Sequence, residues 1–327
     1  ERLLSHPGAS QVLDFAEGRV RMASLQAVDG GPMVGREIRE LHEHAPHVHA
    51  RIAAIFRNGQ PITPNGSTVI HDGDEVFFLA SREEIKGVMS ELGKREKPYK
   101  RLIFAGGGHV GKRVALALES QYSIKVIERD VRRAKKIAGQ LQNTTVLVGD
   151  ASDRELLISE NVETADVFCA ITNNDEVNIL SAMLAKRLGA RRVIALVNND
   201  AYSGIVDESL VDLVISPQQA TISALLRYIR RGDVGQVHSI RHGASEAIEM
   251  VAHGEVGESR VIGIPLREID MPEGVVMGAL VRDDEVLHVH HDTVISEGDH
   301  VIMFLLDKRL IPDVERLFHS TANDTTH

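Results

Sequence analysis

Residues 101–119, "RLIFAGGGHVGKRVALALE", decide the fold of this chain. A short apolar run leads through a glycine-rich turn into residues with helical apolar spacing, which predicts a strand, a tight turn and a helix. Gly106, Gly108 and Gly111 fit the G-x-G-x-x-G pattern of dinucleotide-binding sheets. Because this pattern starts well inside the chain, the residues that precede it need a separate explanation.

The composition indicates a globular protein of two or three domains. The chain has 327 residues, of which 43% are hydrophobic and 26% charged, and it has no tryptophan. A net charge of −10 without a block of basic residues argues against binding to nucleic acid or to an anionic membrane surface. The apolar runs are shorter than the roughly 20 residues that cross a bilayer. The single cysteine, Cys169, excludes an internal disulfide and is interpreted as a small buried hydrophobe, so we expect a reducing cytoplasm.

Continuous apolar runs alternate with helical patterns over residues 99–216. This alternation predicts an α/β fold with a Rossmann-like, doubly wound parallel sheet of about six strands. The predicted strands are "RLIFA", "IKVIE", "TVLVG", "DVFCAI", "RRVIALV" and "DLVIS".

The glycine pattern predicts a nucleotide site. Gly106 would make the tight turn, Gly108 would let backbone N–H groups approach a diphosphate, and Gly111 would let helix and strand pack closely. Glu128, which ends the second strand, would accept hydrogen bonds from ribose hydroxyls and disfavour a 2′-phosphate, although the neighbouring Arg129 weakens that exclusion. NAD(H) or another adenine nucleotide is therefore favoured over NADP.

Two further strand ends carry polar residues at the edge where ligands of such sheets collect. Asp150 follows the third strand, and Thr172 and Asn173 follow the fourth, so all three could contact the nucleotide. The alternative is that polar residues here only cap the next helices, a role open to Ser152 or Asp153 and to Asn173 or Asn174.

The two ends of the chain repeat each other at a spacing of 225 residues. Thr68-Val69-Ile70 matches Thr293-Val294-Ile295, and Gly73-Asp74 matches Gly298-Asp299. Each copy predicts hairpins, "RIAAIFRNGQPI" and "VVMGALVRDDEVL", and a turn-led buried strand, "DGDEVFFLAS" and "EGDHVIMFLL". The repeat predicts two small α+β modules that flank the parallel sheet.

The predicted domains are a small module over residues 1–96, the nucleotide-binding sheet over 97–231, a second small module over 232–320 and a tail over 321–327. The start, "ERLLSHPGASQV", aligns with "LRYIRRGDVGQV", which continues a helix. We therefore expect a duplicated two-domain unit whose first nucleotide domain is missing from this chain.

Together these motifs resemble the RCK/KTN family of potassium-transport regulators, in particular those of Trk-type bacterial uptake systems. The resemblance covers nearly the whole chain and rests on "GGGHVG" with "VIERD", "VGDASD", "AITNNDEVNILSAMLAKRLGA", "ISPQQATISALL" and "EGDHVIMFL". It implies a regulator without catalytic activity, which forms homo-oligomers and docks from the cytoplasm on a membrane-embedded potassium-translocating subunit of the TrkH/TrkG type.

The family resemblance also implies nucleotide contacts. They fall on Gly107, Gly108, His109, Val110, Gly111, Glu128, Arg129, Asp150, Ala151, Thr172 and Asn173. The ligand implied is NAD(H), with ATP or ADP as alternatives. Several family members carry arginine in place of His109 to hold a terminal phosphate, so histidine argues against a strong preference for a triphosphate.

An NAD-dependent dehydrogenase is the alternative function, but the two small modules share no His-Asp pair or basic clamp that would form a substrate site. The histidines of residues 42–49 could suggest a metal site. Their counterpart in the second copy, "DMPEGVVMGA", has none, so a polar loop is the preferred interpretation, as it is for "HVHH" at residues 288–291.

Overall fold

The computed structural model describes residues 1–40, 50–92, 96–203, 206, 209–218, 220–222, 225, 234–240, 245–257, 259–287 and 289–318. The chain divides into two compact units. The sheet unit comprises Glu1–Pro7 and Lys97–Ala220, and the module unit comprises Gly8–Glu96 and Thr221–His327. The predicted domain boundaries at residues 96, 231 and 320 stay predictions, since residues 93–95, 226–233 and 319–327 lie outside the described part.

The first small module is a five-stranded antiparallel sheet followed by a helix. Its strands are β1 (Ala9–Phe15), β2 (Val20–Gln26), β3 (Ala50–Arg57), β4 (Gln60–Ile62) and β5 (Glu75–Ser81), and its helix is α1 (Ile85–Leu92). The strand order is β1-β2-β5-β3-β4. The predicted hairpin β3–β4 and the buried strand β5 are confirmed. The hairpin β1–β2 was not predicted from the sequence.

The sheet unit is the predicted doubly wound fold. Its parallel strands are β6 (Arg101–Ala105), β7 (Ser123–Glu128), β8 (Thr144–Val148), β9 (Val167–Ala170), β10 (Arg192–Leu196) and β11 (Leu213–Ile215). Its helices are α2 (His109–Leu118), α3 (Val131–Ala138), α4 (Arg154–Ser159), α5 (Asp175–Arg187) and α6 (Asp200–Ser203). The strand order β11-β10-β9-β6-β7-β8 reverses direction beside β6, the point at which such sheets bind ligands.

The second small module repeats the first strand by strand. It contains β12 (Val234–Ile240), β13 (Ser245–Val251), β14 (Val275–Arg282), β15 (Glu285–Leu287), β16 (His300–Leu305) and the helix α7 (Ile311–Phe318). Its strand order, β12-β13-β16-β14-β15, is that of the first module. The register of the strand pairing shifts between Ile52 and Ala54 in the first module and between Met277 and Ala279 in the second, again 225 residues apart. The predicted repeat is therefore confirmed even at the level of bulges.

The two small modules share one hydrophobic core. Phe56 and Phe77 of the first module lie 5.5 Å apart, and the Phe304 ring of the second lies 5.6 Å from that of Phe77. A Cβ atom on Gly278 would lie 1.9 Å from a terminal methyl group of Leu79, so a larger residue there would require the Leu79 side chain to shift. The sequence predicted two modules but not that they pack into one unit.

A carboxylate also joins the two modules inside this core. Glu249 is 2% exposed, and its side chain accepts a hydrogen bond of 2.7 Å from the backbone N–H of Ala16 and contacts His300 Nδ1 at 2.6 Å. The residue at the equivalent position of the first module is Ser24. This contact therefore distinguishes the two copies.

Each module contains the same ion pair between a buried aspartate and a partly exposed arginine. In the first, Arg57 Nε and Nη2 each donate a 2.8 Å hydrogen bond to the carboxylate of Asp74. In the second, Arg282 contacts Asp299 at 2.8 and 2.7 Å. Both aspartates are 0% exposed. The pairs connect the end of β3 to the turn that precedes β5, and the end of β14 to the turn that precedes β16.

Cys169 lies in β9 and is 8% exposed, as the sequence analysis expected. Burial raises the pKa of the thiol to about 12, so the reactive thiolate is scarce at neutral pH. We expect Cys169 to resist iodoacetamide at pH 8 in the native protein and to react in 6 M guanidinium, measured by the mass increase of the intact chain. Rapid labelling of the native protein would contradict this prediction.

Among the described residues, no helix is both long enough and apolar enough to cross a membrane.

Candidate nucleotide-binding site

The turn after β6 requires glycine at its first position. Gly106 has φ +114°, and a Cβ atom there would lie 2.9 Å from the carbonyl oxygen of Ile171. The backbone N–H of Gly106 donates to Ile127 O at 2.8 Å, which holds the turn against β7. Both the backbone conformation and the close approach exclude a side chain, so Gly106 makes the tight turn as predicted.

The other two glycines of the pattern differ in what surrounds them. A Cβ atom on Gly111 would lie 2.0 Å from the Gly106 carbonyl oxygen, so this residue lets α2 pack against the turn. A Cβ atom on Gly108 would meet no atom within 4 Å. Gly108 is the N-cap residue of α2, and it has no side chain that could accept a hydrogen bond from the first N–H groups of the helix. The start of α2 is therefore open to a ligand, and exposed backbone N–H groups at such a helix start attract anions.

Glu128 lies beside this loop at the end of β7 and is 5% exposed. Its Oε2 accepts a 2.9 Å hydrogen bond from the Gly107 N–H, and its Oε1 accepts a 2.8 Å bond from the Asp130 N–H. Arg133 Nη1 lies 3.3 and 3.4 Å from the two oxygens. The predicted ribose-binding carboxylate is thus placed at the site, but donors of its own chain already occupy it.

Asp150 follows β8 at the same edge of the sheet. Its Oδ1 accepts hydrogen bonds from the Ser152 hydroxyl at 2.6 Å and from the Ser152 N–H at 2.9 Å. These two bonds, in that order of strength, together with the positive charge of Arg129, lower the pKa of Asp150 below its ordinary value. Asp150 is therefore ionised at neutral pH. Of the two residues predicted as possible caps here, Ser152 and Asp153, Asp153 caps α4.

Thr172 follows β9 and is held by a residue that the sequence analysis missed. The buried amide of Asn178 accepts from the Thr172 N–H at 2.8 Å and from its hydroxyl at 2.7 Å, and donates to Leu196 O at 2.8 Å. Asn178 therefore ties together the ends of β9 and β10. The cap of α5 is Asn174, whose side chain accepts from the Val177 N–H, while Asn173 is exposed and does not cap.

The structure brings the predicted residues to one edge of the sheet, because the carboxyl ends of parallel strands meet there. Glu128 ends β7, Asp150 and Thr172 each come two residues after the ends of β8 and β9, and Arg129 is exposed next to Glu128. His109 and Val110 are exposed at the start of α2, and Ala151 is 6% exposed behind Asp150. Contact of these residues with a nucleotide stays a prediction.

No cluster of three or more His, Cys, Asp or Glu that could hold a metal ion occurs in the part of the chain that the structure describes. The histidines of residues 42–49 lie outside that part, and so does His288 of the second histidine-rich segment.

Family models match both kinds of domain. The TrkA-N domain model matches residues 102–217, and the TrkA-C domain model matches twice, at residues 22–93 and 255–318. The second result agrees with the repeat, since both small modules match the same model.

Curated relatives match almost the whole chain. A Trk system potassium uptake protein TrkA from Vibrio alginolyticus is 52% identical over 97% of this chain and 69% of its own length. A protein of the same name from Halomonas elongata is 50% identical over the same shares.

Solved structures share the fold. The crystal structure of the GsuK RCK domain matches with a TM-score of 0.52, covering 97% of this chain and 68% of its own. The GsuK channel bound to NAD matches with a TM-score of 0.51, covering 97% and 56%. Identity to both is 16%, so these two matches support the RCK fold alone.

Proposed function

The chain belongs to the TrkA family of RCK-domain proteins, and we propose that it acts as a nucleotide-binding regulatory subunit of a Trk-type potassium uptake system. The observation that carries this proposal is the open approach to Gly108 at the start of α2, beside the carboxylates of Glu128 and Asp150. Backbone N–H groups there suit a diphosphate, and the carboxylates suit the hydroxyls of a ribose.

The ligand that this arrangement favours is NAD(H), with ATP and ADP as alternatives that share its adenosine diphosphate group. His109, at the first position of α2, gives no permanent positive charge for a third phosphate, which argues against a site built for ATP alone. The match to a channel bound to NAD is too distant to identify the ligand of this chain.

As a regulator, the protein would act by binding nucleotide more tightly in one conformation than in the other. To convert a two-state protein almost completely from one conformation to the other, its ligands must bind the second conformation more tightly by about 5.5 kcal/mol. Several bound protomers of a homo-oligomer could supply this difference together. The partner would be the membrane-embedded potassium-translocating subunit of the TrkH/TrkG type, contacted from the cytoplasmic side. A catalytic role, such as that of a dehydrogenase, is not needed for this function.

The first test is stabilisation by nucleotide. Because a ligand that binds only the folded state adds about 2.7 kcal/mol of stability at a hundredfold excess over its Kd, NAD, NADH, ATP and ADP should be compared by thermal unfolding. We expect at least one of them to raise the Tm of the wild-type protein, with GMP, which lacks both the adenine base and the diphosphate, as the control. If none does, the proposed site is wrong.

The second test addresses potassium uptake. The codon of Gly108 should be changed to aspartate in the gene that encodes this chain, and growth should be measured at low and at high potassium. We expect slow growth at low potassium only, with normal growth for a Gly139→Asp control, since Gly139 ends α3 and is exposed. Unchanged growth of the Gly108 variant would separate nucleotide binding from transport and contradict the regulatory role. Oxidation of NADH in the presence of an added carbonyl compound as hydride acceptor would support the dehydrogenase alternative.

A further inference from the structure

Glu128 already has as many hydrogen-bond donors as its carboxylate can accept. An ionised carboxylate offers about four acceptor positions. Here the N–H groups of Gly107 and Asp130 take one position on each oxygen, and Arg133 Nη1 contacts both oxygens. Ribose hydroxyls that bind a carboxylate do so as donors. A nucleotide can therefore bind Glu128 only if one of these donors leaves.

The three donors are not equally easy to displace. The Gly107 and Asp130 N–H groups belong to the backbone of the glycine loop and of the turn after β7, and their bonds are 2.9 and 2.8 Å long. The Arg133 contacts are longer, at 3.3 and 3.4 Å, and its side chain is 54% exposed while that of Glu128 is 6% exposed. Arg133 can leave by side-chain rotation into solvent, whereas the backbone donors cannot move without breaking the turn.

From these contacts we propose that Arg133 occupies the ribose position of Glu128 and is displaced when a nucleotide with free 2′- and 3′-hydroxyls binds. The inference rests on the proposed function, because it concerns the same nucleotide site. Arg133 thereby sets how strongly the site distinguishes a ribonucleotide from an analogue that lacks both hydroxyls. It is a specificity-determining residue that competes with the ligand.

The ion pair with Arg133 also gives the buried Glu128 carboxylate a counter-charge beside the glycine loop. A buried carboxylate without a counter-charge is costly, so an exchangeable arginine allows the empty site to remain folded while the acceptor positions stay available. Asp130, which caps α3 by accepting from the Arg133 N–H at 2.7 Å, fixes the start of the helix that carries the arginine. The arginine side chain can thus exchange without any change in α3.

The experiment uses ADP, the group common to NAD(H), ATP and ADP, and 2′,3′-dideoxy-ADP, which lacks both ribose hydroxyls. Affinities for both are measured by titration calorimetry on the whole chain for wild type, Arg133→Met and Arg132→Met. Arg132 is an exposed arginine on the same helix, so its replacement removes one positive charge, as Arg133→Met does, and weakens any general attraction for phosphates to a similar degree. The ratio of the two Kd values cancels that effect, because both ligands carry the same phosphates.

We expect Arg133→Met to increase the preference for ADP over the dideoxy analogue by about two- to fivefold, the range given by a partly exposed ion pair. Arg132→Met should leave the preference unchanged. An unchanged or decreased preference in Arg133→Met, with ADP binding of the wild type intact, would overturn the inference alone. Failure of the wild type to bind ADP would also overturn the inference, and failure to bind any of NAD, NADH, ATP and ADP would overturn the proposed site with it.

Discussion

Gly108→Asp is expected to weaken nucleotide binding about a hundredfold or more while leaving the stability of the protein unchanged. Gly108 has φ −67° and ψ −166°, a conformation open to any residue, and a Cβ atom there meets nothing within 4 Å. The aspartate would place its negative charge where the diphosphate is proposed to lie. Like charges brought together cost several kcal/mol, and about 2.8 kcal/mol corresponds to a hundredfold loss.

Two matched variants separate charge from size and from folding. Gly108→Ala adds only a methyl group in the same open space, so we expect a smaller loss of affinity and an unchanged Tm. Gly106→Ala must disturb the fold, because φ is +114° and the Ile171 carbonyl oxygen would lie 2.9 Å from the new atom. Calorimetry with ADP and thermal unfolding measure the two effects. Wild-type affinity in Gly108→Asp would show that the diphosphate does not lie at the start of α2.

Sequence reasoning predicted the backbone of the sheet unit well because its signals are local. The six apolar strands and the glycine turn are each specified by residues that are close in sequence, and Gly106 and Gly111, which contact each other, are only five residues apart. The predicted repeat likewise holds through every strand. Contacts made across the fold were less visible. Asn178 gave no signal because a polar residue in the first turn of a helix is ordinary, and its partner Leu196 lies 18 residues away.

The same limit applies to charges and to packing between modules. The pairing of Arg133 with Glu128 depends on how α3 leaves the end of β7, which a motif does not specify. An alternating apolar pattern also does not indicate which sheet a buried face packs against, so the contact of Phe77 with Phe304 could not be derived from the repeat.

Asp74→Ala and Asp299→Ala are each expected to destabilise the module unit by about 3 kcal/mol. Each carboxylate is 0% exposed, and it accepts a backbone N–H of its own turn, from His71 at 2.8 Å or from Ser296 at 2.7 Å, in addition to the arginine. Alanine would leave the turn N–H without its acceptor and would leave the arginine only its hydrogen bond to the Val69 or Val294 carbonyl oxygen. Because the two sites are equivalent copies, their costs should agree within about 0.5 kcal/mol.

The pH dependence of the Asp74 contribution has a definite sign. Burial alone would raise the pKa of this carboxyl, but the hydrogen bonds from Arg57 and from the His71 N–H lower it below the ordinary 3.8. A group with a lowered folded-state pKa stabilises fully above the unfolded value and loses that contribution as the pH falls through the folded value. The difference between wild type and Asp74→Ala should therefore be constant from pH 5 to 7 and shrink only below about pH 4.

The measurement has to resolve the module unit from the sheet unit, so hydrogen exchange followed by mass spectrometry is preferred over a global probe. Peptides covering residues 69–81 and 294–305 report on β5 and β16, which pack in one core through Phe77 and Phe304. Either substitution should speed exchange in both peptides, because a shared core unfolds as one unit. The controls are Asp72→Ala and Glu297→Ala, exposed acids at equivalent positions of the same two turns, which should change stability by less than about 0.5 kcal/mol. Faster exchange confined to the mutated module would show that the two modules open independently and that their common core does not couple them.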